Sequence, residues 1–145
     1  MITLNPYLNF KGNAEEAFNF YKSVFGGDFS SIQRYKDVPK DSPGMDKMAP
    51  EDMEKIMHIS LPIGKGNALM ASDSVAPMGG SLTVGDNFNL SISAESEEEA
   101  TKIFNTLSVG GKVEVPLQKM FWNSFFGMVM DKFGIYWMVN YDYEK

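Results

Sequence analysis

His58 is the only histidine in the chain, and it stands in Lys55-Ile-Met-His-Ile-Ser-Leu-Pro62, a segment with the composition of a β-strand. Imidazole, with an ordinary pKa of about 6.5, is the one side chain here able to exchange a proton near neutrality without a large shift. Two readings are open for it: a half-buried histidine hydrogen-bonded within a sheet, or a general base or ligand contact. Asp73, after the candidate strand Ala68–Ser72, either orients His58 or ends that strand as a turn residue. The chain has no cysteine, which removes disulfides, thiolate nucleophiles and thiolate metal sites. Trp122 and Trp137 are the only tryptophans. Each is open between core packing and a clamp for a flat ligand, since an aromatic pair beside a methionine wall serves either purpose.

The two tryptophans gather in or near one stretch, Phe125 to Asn140. Two short apolar runs, Phe125–Met130 and Ile135–Val139, flank Asp131-Lys-Phe-Gly134, which reads as a hairpin turn. Upstream, the chain repeats itself. Asn13-Ala-Glu-Glu-Ala17 opens a helix in capping-box fashion, with the apolar stripe Ala14, Ala17, Phe18, Tyr21, Val24 and Phe25, and Gly26-Gly27 stops it. Ser96-Glu-Glu-Glu-Ala100 repeats the cap before Ile103, Phe104 and Leu107, and Gly110-Gly111 stops that helix. Alternating segments, Leu4–Phe10 and Phe88–Ala94, precede the two helices. Leu8, Phe10, Leu90 and Ile92 are expected to face them, with Asn5, Tyr7 and Asn9, and Asn87, Asn89 and Ser91, on the opposite surface.

Further strands are expected at Ser31–Tyr35, Lys55–Pro62 and Ala68–Ser72, then at Lys112–Leu117, Phe125–Asp131 and Ile135–Tyr141. The order is β-α-β-β-β, twice. One domain of 1–145 is expected, made of modules at about 1–73 and 86–145 joined by the Gly/Ser/Pro-rich segment Ser74–Asp86. The loop Lys36–Asp52, with prolines and two methionines, is open between tolerated surface and a lid.

A formal charge of −6, with lysines and arginines scattered singly, argues against nucleic acid. No apolar run approaches the ~20 residues that span a bilayer, and the start of the chain lacks a signal-peptide pattern, so the expected location is cytoplasmic, with no membrane partner.

In this order, Tyr7-Leu-Asn-Phe-Lys-Gly-Asn-Ala-Glu-Glu-Ala17, Phe25-Gly-Gly27, Ile56-Met-His58, Leu69-Met-Ala-Ser-Asp73, Val113–Gln118, Trp122 and Asp131-Lys-Phe-Gly-Ile-Tyr-Trp-Met-Val-Asn140 resemble the vicinal-oxygen-chelate superfamily. This is the group of glyoxalase, bleomycin-resistance and dioxygenase proteins, and the likeness is nearest to its PhnB-like branch. The resemblance implies an α+β fold in which two tandem βαβββ modules form a curved mixed sheet with a cleft, and a homodimer.

Metal-dependent members of the superfamily carry His, Glu or Gln ligands on the first and last strands of each module. Here Asn5 or Tyr7, and Asn87 or Asn89, stand where histidine is expected, and Met138 stands at a glutamate position. Amides and a thioether suit Zn, Ni, Mn or Fe(II) poorly, so no metal and no cofactor is expected. Some PhnB-like proteins are described as demethylubiquinone methyltransferases, yet no glycine-rich strand-to-helix turn for a nucleotide-like cofactor is present. The expected function is binding of a small, partly aromatic or apolar molecule by Tyr7, Asn9, His58, Asn89, Trp122 and Met138, with His58 also the candidate catalytic residue. The alternatives are a metal-dependent glyoxalase or dioxygenase using His58, and a scaffold whose cleft is filled by its own side chains.

Overall fold

A computed structural model describes residues 2–78 and 81–143. The chain divides between Thr83 and Val84 into two compact units. Part of the segment expected to link two modules, and residues 144–145 at the end of the second, lie outside the described residues. The fold is α+β, with two α-helices and eight strands among the described residues, in the order βαβββ twice. No helix among them is long and apolar enough to cross a membrane.

In the first unit β1 (Tyr7–Phe10), α1 (Ala14–Phe25), β2 (Ser31–Arg34), β3 (Ile56–Ile63) and β4 (Asn67–Asp73) form a sheet of order β1-β4-β3-β2. Only the β1–β4 pair is parallel. Leu8 and Phe10 are buried, as alternation requires, together with Ile59, Leu61, Leu69 and Ala71. Against them α1 lays Ala14, Ala17, Phe18 and Tyr21. The strand expected from Leu4 starts only at Tyr7, because Pro6 has no N–H to give. Asn5 instead uses its side chain, Oδ1 accepting from the Ala68 amide at 2.9 Å, so it is not presented to a ligand.

The expected cap of α1 is not made. Asn13 forms no side-chain cap bond. Asp73, 1% exposed at the end of β4, does that work from across the fold: Oδ1 accepts from the Gly12 and Ala14 amides at 2.9 and 3.0 Å. Its Oδ2 accepts from the Ile56 amide at 2.8 Å. A carboxylate satisfies three backbone donors, two of them buried, more fully than a local amide satisfies one. Asp73 therefore neither orients His58 nor merely ends a strand; it ties β4, β3 and the start of α1 together.

The second unit holds β5 (Leu90–Ser93), α2 (Glu97–Ser108), β6 (Lys112–Lys119), β7 (Ser124–Met130) and β8 (Tyr136–Asp142), in a sheet of order β5-β8-β7-β6. Here the expected cap is present: Ser96 accepts from the Glu99 amide at 3.0 Å. The Glu99 carboxylate reaches one residue further back than a capping box, to the Glu95 amide at 2.9 Å. Phe104 of α2 packs so close to β7 that a Cβ on Gly127 would lie 2.7 Å from its ring and 2.9 Å from the Leu117 backbone. The hairpin turn closes on Asp131, fully buried, whose Oδ1 accepts from the amides of Phe133 and Ile135. Its Oδ2 accepts from the Trp137 indole at 2.8 Å. That bond settles Trp137 as core, because a satisfied and buried indole has nothing left to offer a ligand.

Candidate functional site

Each sheet has one face under its helix and one helix-free face, and the expected site residues lie on or beside the helix-free faces. In the first unit, one row of registered residues crosses the whole sheet: Tyr7, Met70, Ser60 and Ser31. In the next row Asn9 pairs with Ser72, and His58 with Gln33. Continuing the β3–β4 register by one residue sets Ser72 beside His58.

Tyr7 and His58 meet although β4 lies between their strands. The Tyr7 hydroxyl comes to 3.4 Å from His58 Nδ1, and the ring centroids are 5.8 Å apart with planes tilted by 31°. A tyrosine is long enough to bridge diagonally over one intervening strand, and the small Ser72 beneath leaves room. The contact sets a phenol beside an imidazole, with the direction of the hydrogen bond fixed by the histidine tautomer. Tyr7 remains 45% exposed and His58 half-buried.

The stem of the Lys36–Asp52 loop is fastened to the same unit. Tyr35 is buried and donates its hydroxyl to the Asp73 carbonyl at 2.8 Å. Burial, with the Asp73 charge second, pushes the Tyr35 phenol above its ordinary value, which keeps it a donor. Lys36 pairs with Glu54, and its amide donates to the Met53 carbonyl. Met45, within a short 3-10 turn, is buried, so one of the two methionines anchors the loop rather than greeting solvent.

In the second unit the helix-free face is sulfur and aromatic. Met138 stands between Ser91 of β5 and Met128 of β7, and Met130 pairs with Tyr136. Trp122, in the turn between β6 and β7, is half exposed and meets Phe126 of this face edge-on, with centroids 5.7 Å apart. It is therefore not core. Phe121 beside it is 95% exposed. Asn89 lies just before β5, and its Oδ1 is buried with no hydrogen-bond partner among the described residues.

Sequence reasoning missed Ser72, Gln33, Met128 and Phe126. The period-2 alternation of β2, β4 and β7 puts them on the same faces as the residues of the first and last strands.

A family model described as 3-demethylubiquinone-9 3-methyltransferase matches residues 3–140. The chain belongs to this family, the PhnB-like branch of the vicinal-oxygen-chelate superfamily. Among relatives of this PhnB-like chain, Protein YjdN of Escherichia coli (strain K12) is 33% identical over 141 residues, covering 94% of this chain and 93% of that protein. Protein PA1353 from Pseudomonas aeruginosa is similar in structure, with 37% identity, a TM-score of 0.84 and 98% of each chain covered. The PhnB protein from Bacillus cereus is 27% identical with a TM-score of 0.73, covering 97% of this chain and 99% of that one. A glyoxalase/bleomycin resistance protein/dioxygenase family enzyme from Burkholderia phytofirmans PsJN, 17% identical with a TM-score of 0.60, shares the fold.

The family description implies a methyl donor of nucleotide type, and the residues present do not fit one. Each sheet has a single parallel pair, at its edge. The amides at the start of α1 are taken by Asp73, and Ser96 takes one at the start of α2. That arrangement differs from a glycine-rich strand-to-helix turn that opens a helix N-terminus to a ligand.

Proposed function

We propose that this PhnB-like protein binds a small, partly aromatic or apolar molecule without the help of a standard metal site. In this reading Tyr7 and Asn9 of the first unit orient polar groups of a ligand and His58 supplies a hydrogen bond or a proton; in the second unit Trp122 and Met138 offer contacts for a flat apolar group and Asn89 an amide for a polar one. The observation that carries it is the Tyr7–His58 contact, which joins two groups from non-adjacent strands on a face that no helix covers. The buried, unpartnered Oδ1 of Asn89 supports it, since an unmet buried acceptor costs about 1–3 kcal/mol and a ligand donor would remove that cost.

The donor chemistry also supports a metal-independent site. Among the described residues no three His, Asp or Glu side chains come together. Phenol, amide and thioether groups at Tyr7, Asn89 and Met138 do not fit Zn, Ni, Mn or Fe(II). Cytoplasmic residence as a homodimer is part of the same reading, carried by the family resemblance; sedimentation showing a monomer at every concentration removes the dimer.

Thermal unfolding across a broad metabolite panel tests the binding, because a ligand of the native state raises the midpoint. At least one member is expected to raise it, and a midpoint unmoved by the whole panel contradicts the reading. Elemental analysis of protein purified without chelators separates the rival metalloenzyme: stoichiometric Zn, Ni, Mn or Fe contradicts a metal-independent site.

A further inference from the structure

The helix-free face of the first sheet carries no Asp, Glu, Lys or Arg at any position that the strand registers place on it. In a chain with 22% charged residues this is not an ordinary solvated surface. The nearby cations are committed elsewhere. Arg34 lies on the other face, bonded to both carboxylate oxygens of Glu15 and to the Glu54 carbonyl. Lys55 is held by Asp52 at 2.6 Å. The start of α1, which could otherwise receive an anion, is occupied by Asp73. A carboxylate or phosphate on this face would meet no lysine or arginine at any position that the strand registers place there.

Beside Met70, Ala68 and Pro62, what the face holds are hydroxyls and amides: Ser31 and Ser72, with Ser60 buried among them, and Asn9 and Gln33. Each of these side chains both donates and accepts, which matches a ligand hydroxyl that does the same. Above them the Tyr7 and His58 rings, tilted by only 31°, make a shallow aromatic floor suited to the C–H face of a saturated ring.

We infer that the polar part of the ligand is an uncharged, polyhydroxylated group of sugar-like chemistry, seated on the Tyr7–His58 pair, and not a carboxylate or phosphate. This rests on the small-molecule reading above and names the ligand class it left open.

The test uses the full chain and three probes that share one aromatic body: 4-nitrophenyl β-D-glucoside, 4-nitrophenyl phosphate and nitrobenzene, titrated by calorimetry. The glucoside is expected to bind at least tenfold more tightly than the other two. Tyr7→Phe and Asn9→Ala are each expected to weaken it about tenfold while leaving nitrobenzene binding and the thermal midpoint of the free protein unchanged. Phosphate binding as tight as the glucoside overturns the inference, and so does equal binding of all three; either result leaves the small-molecule reading intact. Glucoside affinity indifferent to both substitutions also overturns it. No binding by any of the three overturns the inference, while the metabolite panel decides the broader reading separately.

Discussion

Single carboxylates hold more of this molecule together than local caps do. Replacing Asp73 by Asn puts an NH2 against at least one of the three amides it now receives, at Gly12, Ala14 and Ile56. The expected loss is about 3 kcal/mol in urea unfolding, the scale for a buried charged acceptor whose donors are left unmet. Asn13→Ala, by contrast, is expected to change stability by less than about 0.5 kcal/mol, while Ser96→Ala costs about 1 kcal/mol. The sequence suggested equal caps, since Asn13 and Ser96 precede glutamates at the same spacing. The difference was not legible there, because Asp73 reaches the first helix from 59 residues away. Tyr7 and Asn9 could be placed on one face by alternation alone, but setting His58 beside them across β4 depends on a strand order that places β4 between β1 and β3.

At the level of elements, packing distance and electrostatics set two further expectations. Gly127→Ala drives a methyl into the Phe104 ring and the Leu117 backbone, and the backbone cannot step aside. A loss of more than about 2 kcal/mol is expected in thermal or urea unfolding, and a neutral result would mean that α2 does not sit where described. The Arg34 hydrogen bond holds the Glu15 carboxyl below its ordinary value despite some desolvation. A depressed carboxylate stabilises the fold above its unfolded pKa, and that stabilisation fades as pH falls through the folded value. Wild type is thus expected to exceed Glu15→Gln by no more than about 1 kcal/mol near pH 7, the pair being partly exposed, with the gap closing below about pH 4. A gap that widens on acidification contradicts the pairing. The strands and helices themselves were legible almost throughout, because periods of 2 and 3.6 report which side is buried. Strand ends moved by a residue or a few, most at Leu4, where Pro6 interrupts pairing, and at Lys119, where β6 runs on into the turn that carries Trp122.

For the molecule as a whole, two units of the same element order have acquired different surfaces. The first sheet shows hydroxyls and amides around the Tyr7–His58 pair and Met70, while the second is richer in methionines and aromatic rings. That division was hidden in the sequence because it depends on cross-strand registers, such as Met128 with Met138 and His58 with Gln33, that pair distant segments. The most direct measurement follows the methyl groups of 13C-labelled methionine by NMR, since Met70 reports on the first surface and Met128 and Met138 on the second. Addition of a ligand found by the thermal panel is expected to shift Met70, or Met128 and Met138, saturably and with one dissociation constant for each surface that responds. Shifts confined to methionines away from both surfaces, or none at a concentration that raises the thermal midpoint, would contradict binding there.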